Sequence, residues 1–359
     1  MSARLLQSRT YDVADAVAAN ELFQQHGWTD GLPIVPPTED AVRGFLDAAT
    51  LAPDVVVGVE PVRRRHITAE KVAIAAVMAG GLAEYMPVIV ATVQAMCAPS
   101  FGLHGSAAST GGSAPFIVVN GPIRTAIGMN ATHNVLANGS RANATIGRAI
   151  RLLIINALGG IPGQLDRSTL GHPGKFTFCI AEDEEDSAWL PLAAERGYLT
   201  ADGRQVQGLP AGASAVTVMA AESPHQVMND WTRDPRELLT TYVAGIRANM
   251  LTYSIWAGNY ALIVPKQHRH VLTAAGWTKQ DIREFVFEGA RVTRREWRSV
   301  GKAAVAGRKD EDAVYTALRS PDDLLVVAAG GPAGGFGAIV PPWYGAKALA
   351  VTTRIGGEG

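Results

Sequence analysis

Short continuous apolar runs alternate along this chain with longer stretches whose apolar side chains recur at helical spacing, and Gly and Pro clusters separate them. Tyr11–Gln25 has helical spacing and breaks at Gly27. Gly31–Pro37 (GLPIVPP) is no helix, because its prolines remove donors and extend the residues before them. Thr38 is placed to cap a helix through about Ala49, with Glu39 and Asp40 favourable against the helix dipole. Thr68 caps Ala69–Gly80, and Pro87 suits the first turn of an apolar helix ending near Cys97. Pro115–Asn120 (PFIVVN) reads as a buried strand, and Asn143–Leu158 as a helix stopped by Gly159-Gly160. Lys175–Ala181 (KFTFCIA) reads as a strand running into the acidic Glu182–Asp186.

Past a turn-rich stretch, strand Ala215–Ala221 leads to a helix at Pro235–Ala248 and a strand at Ala261–Val264. Helices follow at Lys266–Ala275 and Gln280–Arg298. Strand Leu324–Ala329 opens into the loop GGPAGGFGAIVPPWYG (Gly330–Gly345), and Leu349–Arg354 closes the chain as a strand. Strands alternating with helices predict an α/β fold of two intimately packed lobes, each a mixed sheet with flanking helices. The expected division is 1–205, carrying most candidate site residues, and 206–359, carrying the Gly-rich closing loop.

A length of 359 residues is more than one ordinary core accommodates, which agrees with two lobes. The formal net charge is −1, which argues against general nucleic-acid binding, and Arg63-Arg64-Arg65-His66 reads as a solvated turn. The two cysteines, Cys97 and Cys179, make neither a disulfide framework nor a four-cysteine metal site. No signal peptide is read, and no apolar run reaches the roughly 20 residues of a spanning helix. A cytoplasmic protein without membrane association is expected.

Candidate chemistry concentrates between residues 101 and 189. In His104–Gly112 (HGSAASTGG) glycines allow backbone N–H groups to approach an anion, and Ser106, Ser109 and Thr110 add hydroxyls. The segment matches no Walker loop, GxGxxG or GxSxG pattern. In Met129–Arg148, Asn130, His133, Asn134, Asn138 and Asn143 precede or open a helix, with Arg141 at its start and Arg148 and Arg151 further along. A helix N-terminus beside an arginine suits an anion. His104 and His133 are the acid–base candidates, with His172 third. Glu182, at a strand end, is a further proton acceptor or polarising group, and Lys175 a charge stabiliser. A straight strand would hold Lys175 and Glu182 roughly 20 Å apart, too far to serve one small site. Glu184, Glu185 and Asp186 read as a solvated turn, Cys179 as core, and Asp30 as a carboxylate held in an Asx-turn. Phe336, Trp343 or Tyr344 of the closing loop could wall a ligand. No nucleotide signature and no zinc spacing is evident, so no cofactor is assigned.

The runs DGLPIVPPTE (Asp30–Glu39), NGPIR (Asn120–Arg124), RANATIGRAIRLL (Arg141–Leu153), HPGKFTFCIAEDEE (His172–Glu185), GWTKQDIREFVFEGAR (Gly276–Arg291) and VVAAGG (Val326–Gly331) together resemble a bacterial family. Its members are the large components found beside, or joined to, UGSC (seleno)proteins. The resemblance spans most of the chain and implies a thiol- or selenol-bearing partner rather than a reaction. The UGSC segment itself is absent, and neither cysteine lies in such a sequence, so that chemistry would come from a partner chain.

The leading expectation is an enzyme acting on a small carboxylate or similar anion by proton transfer, of the lyase, hydratase or isomerase kind. Arg141, Asn143 and the His104–Gly112 loop would hold the anion, with Asn130, Asn138, Arg148 and Lys175 contributing. His104, His133 and Glu182 would move the proton. The alternatives are an accessory subunit that presents substrate to a UGSC-type partner, and a metal-dependent enzyme whose ligands come from distant parts of the chain. The apolar helices and Gly-rich loop also suit a homo-oligomer.

Overall fold

The computed structural model describes residues 5–185, 187–307, 310–345 and 347–356. Among these residues the strands form a sheet of six, a sheet of four and two small two-stranded ribbons. In the larger sheet Ala114–Asn120 pairs in parallel with Cys179–Ala181 on one side and antiparallel with Ser214–Ala221 on the other. Val351–Ile355 pairs antiparallel with Ser214–Ala221, and Tyr198–Leu199 and Gln205–Val206 complete the edge. In the smaller sheet Leu324–Ala328 runs parallel to Tyr260–Val264, and Phe336–Val340 and His225–Met228 add antiparallel strands. Both sheets are mixed and carry helices, so the fold is α/β.

Alternation along each strand fixes how the layers stack. Ile117 and Val119, with Val216, Val218 and Ala220, join one core beneath the helices Met86–Cys97 and Arg141–Asn156, and Ala69–Met78 nests against both helices. Phe116, Val118, Met219 and Ala221 face the other way, onto Ala261, Ile263, Leu325, Val327, Ala338 and Val340 of the smaller sheet. Tyr260, Leu262, Val264, Val326 and Ile339 point outward to helices Pro235–Thr252 and Lys279–Gly289. The order is helices, six strands, four strands, helices. Strands buried on both faces need near-continuous apolar sequence, which is what LLVVA and YALIV supply.

The helix starts at Thr38 and Thr68 are as the sequence indicates, each hydroxyl accepting from the amide three residues on. Four expectations change. Lys175–Ala181 is not one strand, because Pro173–Lys175 is a 3₁₀ turn and only Cys179–Ala181 joins the sheet. Gln280–Arg298 is two helices, Lys279–Gly289 and Arg294–Ser299, separated by the short strand Arg291–Thr293. Thr293 and Glu296 form a capping box that restarts the chain as helix. Inside the expected loop Gly330–Gly345, Phe336–Val340 is a strand placed between two others. The chain also does not divide between the sheets at residue 205, since Ser214–Ala221 and Val351–Ile355 belong to the same sheet as Ala114–Asn120. No helix among the described residues is long and apolar enough to cross a membrane.

Candidate functional site

Several of the residues expected to share a pocket engage separate partners instead. Arg141 donates to the carbonyls of Gly80 and Gly81 (3.0 and 3.2 Å), closing the end of a neighbouring helix. Arg148 forms a two-pronged pair with Asp30 (2.8 Å for both contacts) and reaches the Pro33 carbonyl at 2.7 Å. Asn143 is buried and bridges the backbone N–H and C=O of Asn130 at 3.0 and 2.8 Å. Asn130 in turn holds the backbone of Thr132 and His133. His133 and Asn138 are exposed. His104 Nδ1 lies 3.9 Å from Glu60 Oε1, on the short helix Leu103–Ala107.

Glu182 is buried at the C-terminal end of strand Cys179–Ala181, where Lys279 Nζ (2.9 Å), Asn120 Nδ2 (2.6 Å) and the amides of Leu192 (2.6 Å) and Ala328 (3.2 Å) fill its oxygens. Glu184 is no solvated turn residue, because it accepts from Asn120 (2.8 Å) and the Gly121 amide (2.9 Å) and pairs with Arg124. Glu185 pairs with Arg124 as well, while Asp186 lies outside the described residues. The carboxylates here are held by donors from several segments, so this end of the sheet is a tie between them, although Asn120 Oδ1 is buried there without a partner among the described residues.

A second set of polar groups gathers at the opposite sheet end. Asp166 binds Lys175 Nζ at 2.8 and 2.6 Å and the Ser168 hydroxyl at 2.7 Å. Lys175 Nζ also lies 2.6 Å from Ser168 Oγ. Arg151, largely buried, donates to the Lys175 carbonyl at 2.8 Å and stands 3.7 Å from Asp166. Ser168 Oγ lies 3.4 and 3.2 Å from the carbonyls of Ser109 and Gly111, and the Thr110 carbonyl accepts from Thr169 N–H at 2.9 Å. Ser109 Oγ accepts from Trp343 Nε1 at 2.7 Å. The loop 109–112 is thus sewn to the turn 166–175 and to the aromatic Trp343.

Two glycines make this approach possible. A Cβ on Gly112 would stand 2.9 Å from Gly171 Cα, and one on Gly111 would stand 2.7 Å from the Tyr253 hydroxyl. The register Ala114↔Ala221 then brings Ser113 beside Glu222, one step beyond each strand. Glu222 accepts a 2.6 Å hydrogen bond from the Tyr253 hydroxyl, which the end of helix Pro235–Thr252 supplies. A void of about 10 Å³, enough for about one water, lies among Ser106, Ser113, Arg151 and Asp166. Ser113 Oγ and His172 Nε2 are buried without a hydrogen-bond partner among the described residues.

The electrostatics follow from this packing. Burial pushes the Glu222 carboxyl up to about 7, because a phenol and the nearby Lys175 charge offset desolvation only in part. Burial likewise raises the Asp166 carboxyl, but Lys175 and Ser168 outweigh it and hold Asp166 below the ordinary range. Lys175 is drawn down by burial and by the Arg151 charge, against the pull of Asp166. His172 is lowered to about 4 by burial, with Lys175 and Arg151 adding to it. Its Nδ1 accepts from the Gly174 amide at 3.1 Å, so the neutral ring carries its proton on Nε2. The Ala221 carbonyl faces the ring and opposes the shift, yet no well-formed hydrogen bond closes on Nε2.

This corner therefore combines two cations, a neutral imidazole N–H, an unpaired hydroxyl, and a carboxyl that titrates near neutrality beside a phenol. It can receive an anionic group and exchange a proton with it. Of the expected residues, Ser106, Ser109, Thr110 and Lys175 come together here, with His172 and Arg151. Asp166, Ser113, Glu222 and Tyr253 escaped the sequence reading. Glu222 carried the same strand-end signal as Glu182, whereas Asp166 and Tyr253 carried none. Cys179 is buried and Cys97 half-buried, and desolvation raises both thiols, Cys97 up to about 12. Among the described residues no three His, Cys, Asp or Glu side chains gather as a metal-ligand group. Comparison of this chain with protein families, with curated proteins and with solved structures finds no match.

Proposed function

We propose that this protein is an enzyme that binds a small carboxylate or similar anion and moves a proton on it, with the Asp166–Lys175–Glu222 corner as its active site. The reading rests above all on the Glu222 carboxyl, shifted to about 7 and bonded to Tyr253 on the same corner as Lys175 and Arg151. Arg151 and Lys175, with the Ser113 hydroxyl and the His172 Nε2–H, would hold the anionic group. Glu222, ionised for part of the time at neutral pH, would take a proton from an adjacent carbon or water, and Tyr253 would steady the carboxylate that accepts it. Asp166 would keep Lys175 in place. Many lyase, hydratase and isomerase reactions of carboxylates use such a step.

The test is ¹H NMR in D₂O of small mono- and dicarboxylates, including 2-hydroxy and unsaturated acids, incubated with the full chain. Exchange or conversion of at least one acid is expected, falling at least about 100-fold in Glu222→Gln. Undiminished exchange in that variant, or no reaction across the panel, overturns the proposal.

A second reading has one observation in its favour. The resemblance to the large components associated with UGSC proteins implies a thiol- or selenol-bearing partner, and this chain's own thiols, one buried and one half-buried, are both held protonated by desolvation. As an accessory subunit the chain would present substrate and gain activity only on mixing with such a partner. Turnover by the purified chain alone would remove this reading.

A further inference from the structure

The basic run Arg63-Arg64-Arg65-His66, expected as a solvated turn, is only partly one. Arg64 is exposed and takes φ 56°, in the left-handed region that favours glycine. The residues on either side of it both reach the C-terminal end of helix Arg141–Asn156. Arg63 donates to the Leu158 carbonyl at 3.2 Å and Arg65 to the Ala157 carbonyl at 3.3 Å. Gly159 leaves room for this, since a Cβ there would stand 3.1 Å from Arg65 Nη1. The buried Glu60 carboxylate holds the turn by accepting the Val62 and Arg63 amides, which occupies the acid nearest in sequence.

Beside the turn lies a groove of about 580 Å³ whose walls include His26, Trp28, Arg63, Arg65, Ile161 and Gln164. Among the described residues no Asp or Glu lines it, and neither guanidinium has a carboxylate partner. In the polar corner, by contrast, Asp166 already sits on Lys175 at 2.6 Å. A guanidinium carries more N–H donors than one carbonyl uses, so Arg63 and Arg65 keep donors to spare while their positions are fixed. Two such forks suit the oxygens of a phosphate. A phosphate monoester carries about −1.5 to −2 charge at neutral pH, which two permanent cations match, whereas a single carboxylate would leave one unmatched. The remaining wall is apolar. Ile155 is buried, Ile161 and Leu165 are half-buried, and the Trp28 indole stacks on the His26 ring at 4.4 Å.

We propose that this groove binds a small phosphate monoester, its phosphate between Arg63 and Arg65 and its organic part against Ile161 and Leu165. The site is independent of the proposed active site.

Calorimetric titration of the full chain with phenyl phosphate, inorganic phosphate and benzoate tests it. Phenyl phosphate should saturate at about one equivalent, at least about threefold tighter than inorganic phosphate and about tenfold tighter than benzoate. Changing Arg63→Gln and Arg65→Gln together should lower its affinity at least about tenfold with an unchanged circular dichroism spectrum, whereas Arg64→Gln should change it less than about twofold. Gln164→Glu, which sets a carboxylate in the wall without touching the helix end, should also weaken it by about tenfold and serves if the double variant does not fold. No saturable binding, or binding that survives the Arg63/Arg65 and Gln164 changes, as it would at the polar corner, overturns the site. An equal loss in Arg64→Gln would mark a diffuse basic surface and overturns it too. Benzoate binding as tightly as phenyl phosphate overturns the phosphate head, and inorganic phosphate doing so overturns the apolar seat.

Discussion

Glu222 and Asp166 are carboxyls of one corner with opposite behaviour, and their partners explain it. Asp166 has an ammonium at 2.6 Å and a hydroxyl at 2.7 Å, enough to overcome burial, whereas Glu222 has a phenol. The Glu222 pKa in the folded protein, about 7, stands above its unfolded value near 4.3. The favourable, protonated contribution is thus complete below about pH 4 and fades as pH rises through 7. Glu222→Gln is expected to flatten that decline and to make the protein more stable than wild type at pH 8, by about 1 kcal/mol after allowance for solvent screening. Urea unfolding at pH 5 and pH 8 measures it. His172 has the reverse sign: its pKa falls to about 4, so its contribution is complete above about 6.5 and is lost as pH drops toward 4. A Lys175→Met change takes the nearest cation from buried Asp166, leaving it Ser168 and the more distant Arg151, and should cost about 3 kcal/mol, of which Asp166→Asn in the same chain restores part. Ser109 and Lys175 were legible as polar residues at element ends. Tyr253 was not, because nothing local distinguishes a phenol near a helix terminus from any other half-buried tyrosine.

At the level of elements, Gly147 shows where local preference and packing disagree. It lies inside helix Arg141–Asn156, where alanine would be favoured by about 1 kcal/mol on intrinsic propensity. A Cβ there would stand 2.3 Å from Thr177 Oγ and 2.8 Å from the Phe178 amide, so the turn before strand Cys179–Ala181 would have to move. Overpacking of this kind costs about 1–3 kcal/mol, and Gly147→Ala should therefore lower the melting temperature despite the better helix former. Thr68→Ala, by contrast, removes only a cap and should cost about 1 kcal/mol in chemical unfolding. Helix starts at Thr38 and Thr68 could be read directly because a cap is a contact within four residues. The break between Lys279–Gly289 and Arg294–Ser299 was also written locally, in the Thr293–Glu296 capping box, but the apolar periodicity running across it suggested one helix. Phe336–Val340 was hidden by the glycines and prolines on either side, which say turn more loudly than five apolar residues say strand.

At the level of the whole molecule, the tie at Glu182 joins the two sheets. Its carboxylate takes the Lys279 ammonium from the outer helices, the Ala328 amide from the smaller sheet and Asn120 from the larger. Beside it Asp183 accepts from Arg269 at 2.7 Å and donates its amide to the Ala328 carbonyl at 2.6 Å. Lys279→Met would strand a buried carboxylate and should cost about 3–5 kcal/mol, seen as a lower unfolding midpoint, with Glu182→Gln recovering part of the loss.

The sequence by itself determined the α/β class, most strands and helix starts, and the stretch in which polar chemistry concentrates, because each depends on neighbours a few positions away. Only the tertiary structure decided that the chain runs back and forth between the two sheets, that Glu182, Arg141 and Arg148 are occupied in holding segments together, and that Ser113, Asp166, Lys175, Glu222 and Tyr253 share a corner. Those facts depend on strand register and on glycines that allow loops to touch, and pairing between residues a hundred or more positions apart leaves no periodicity in the chain.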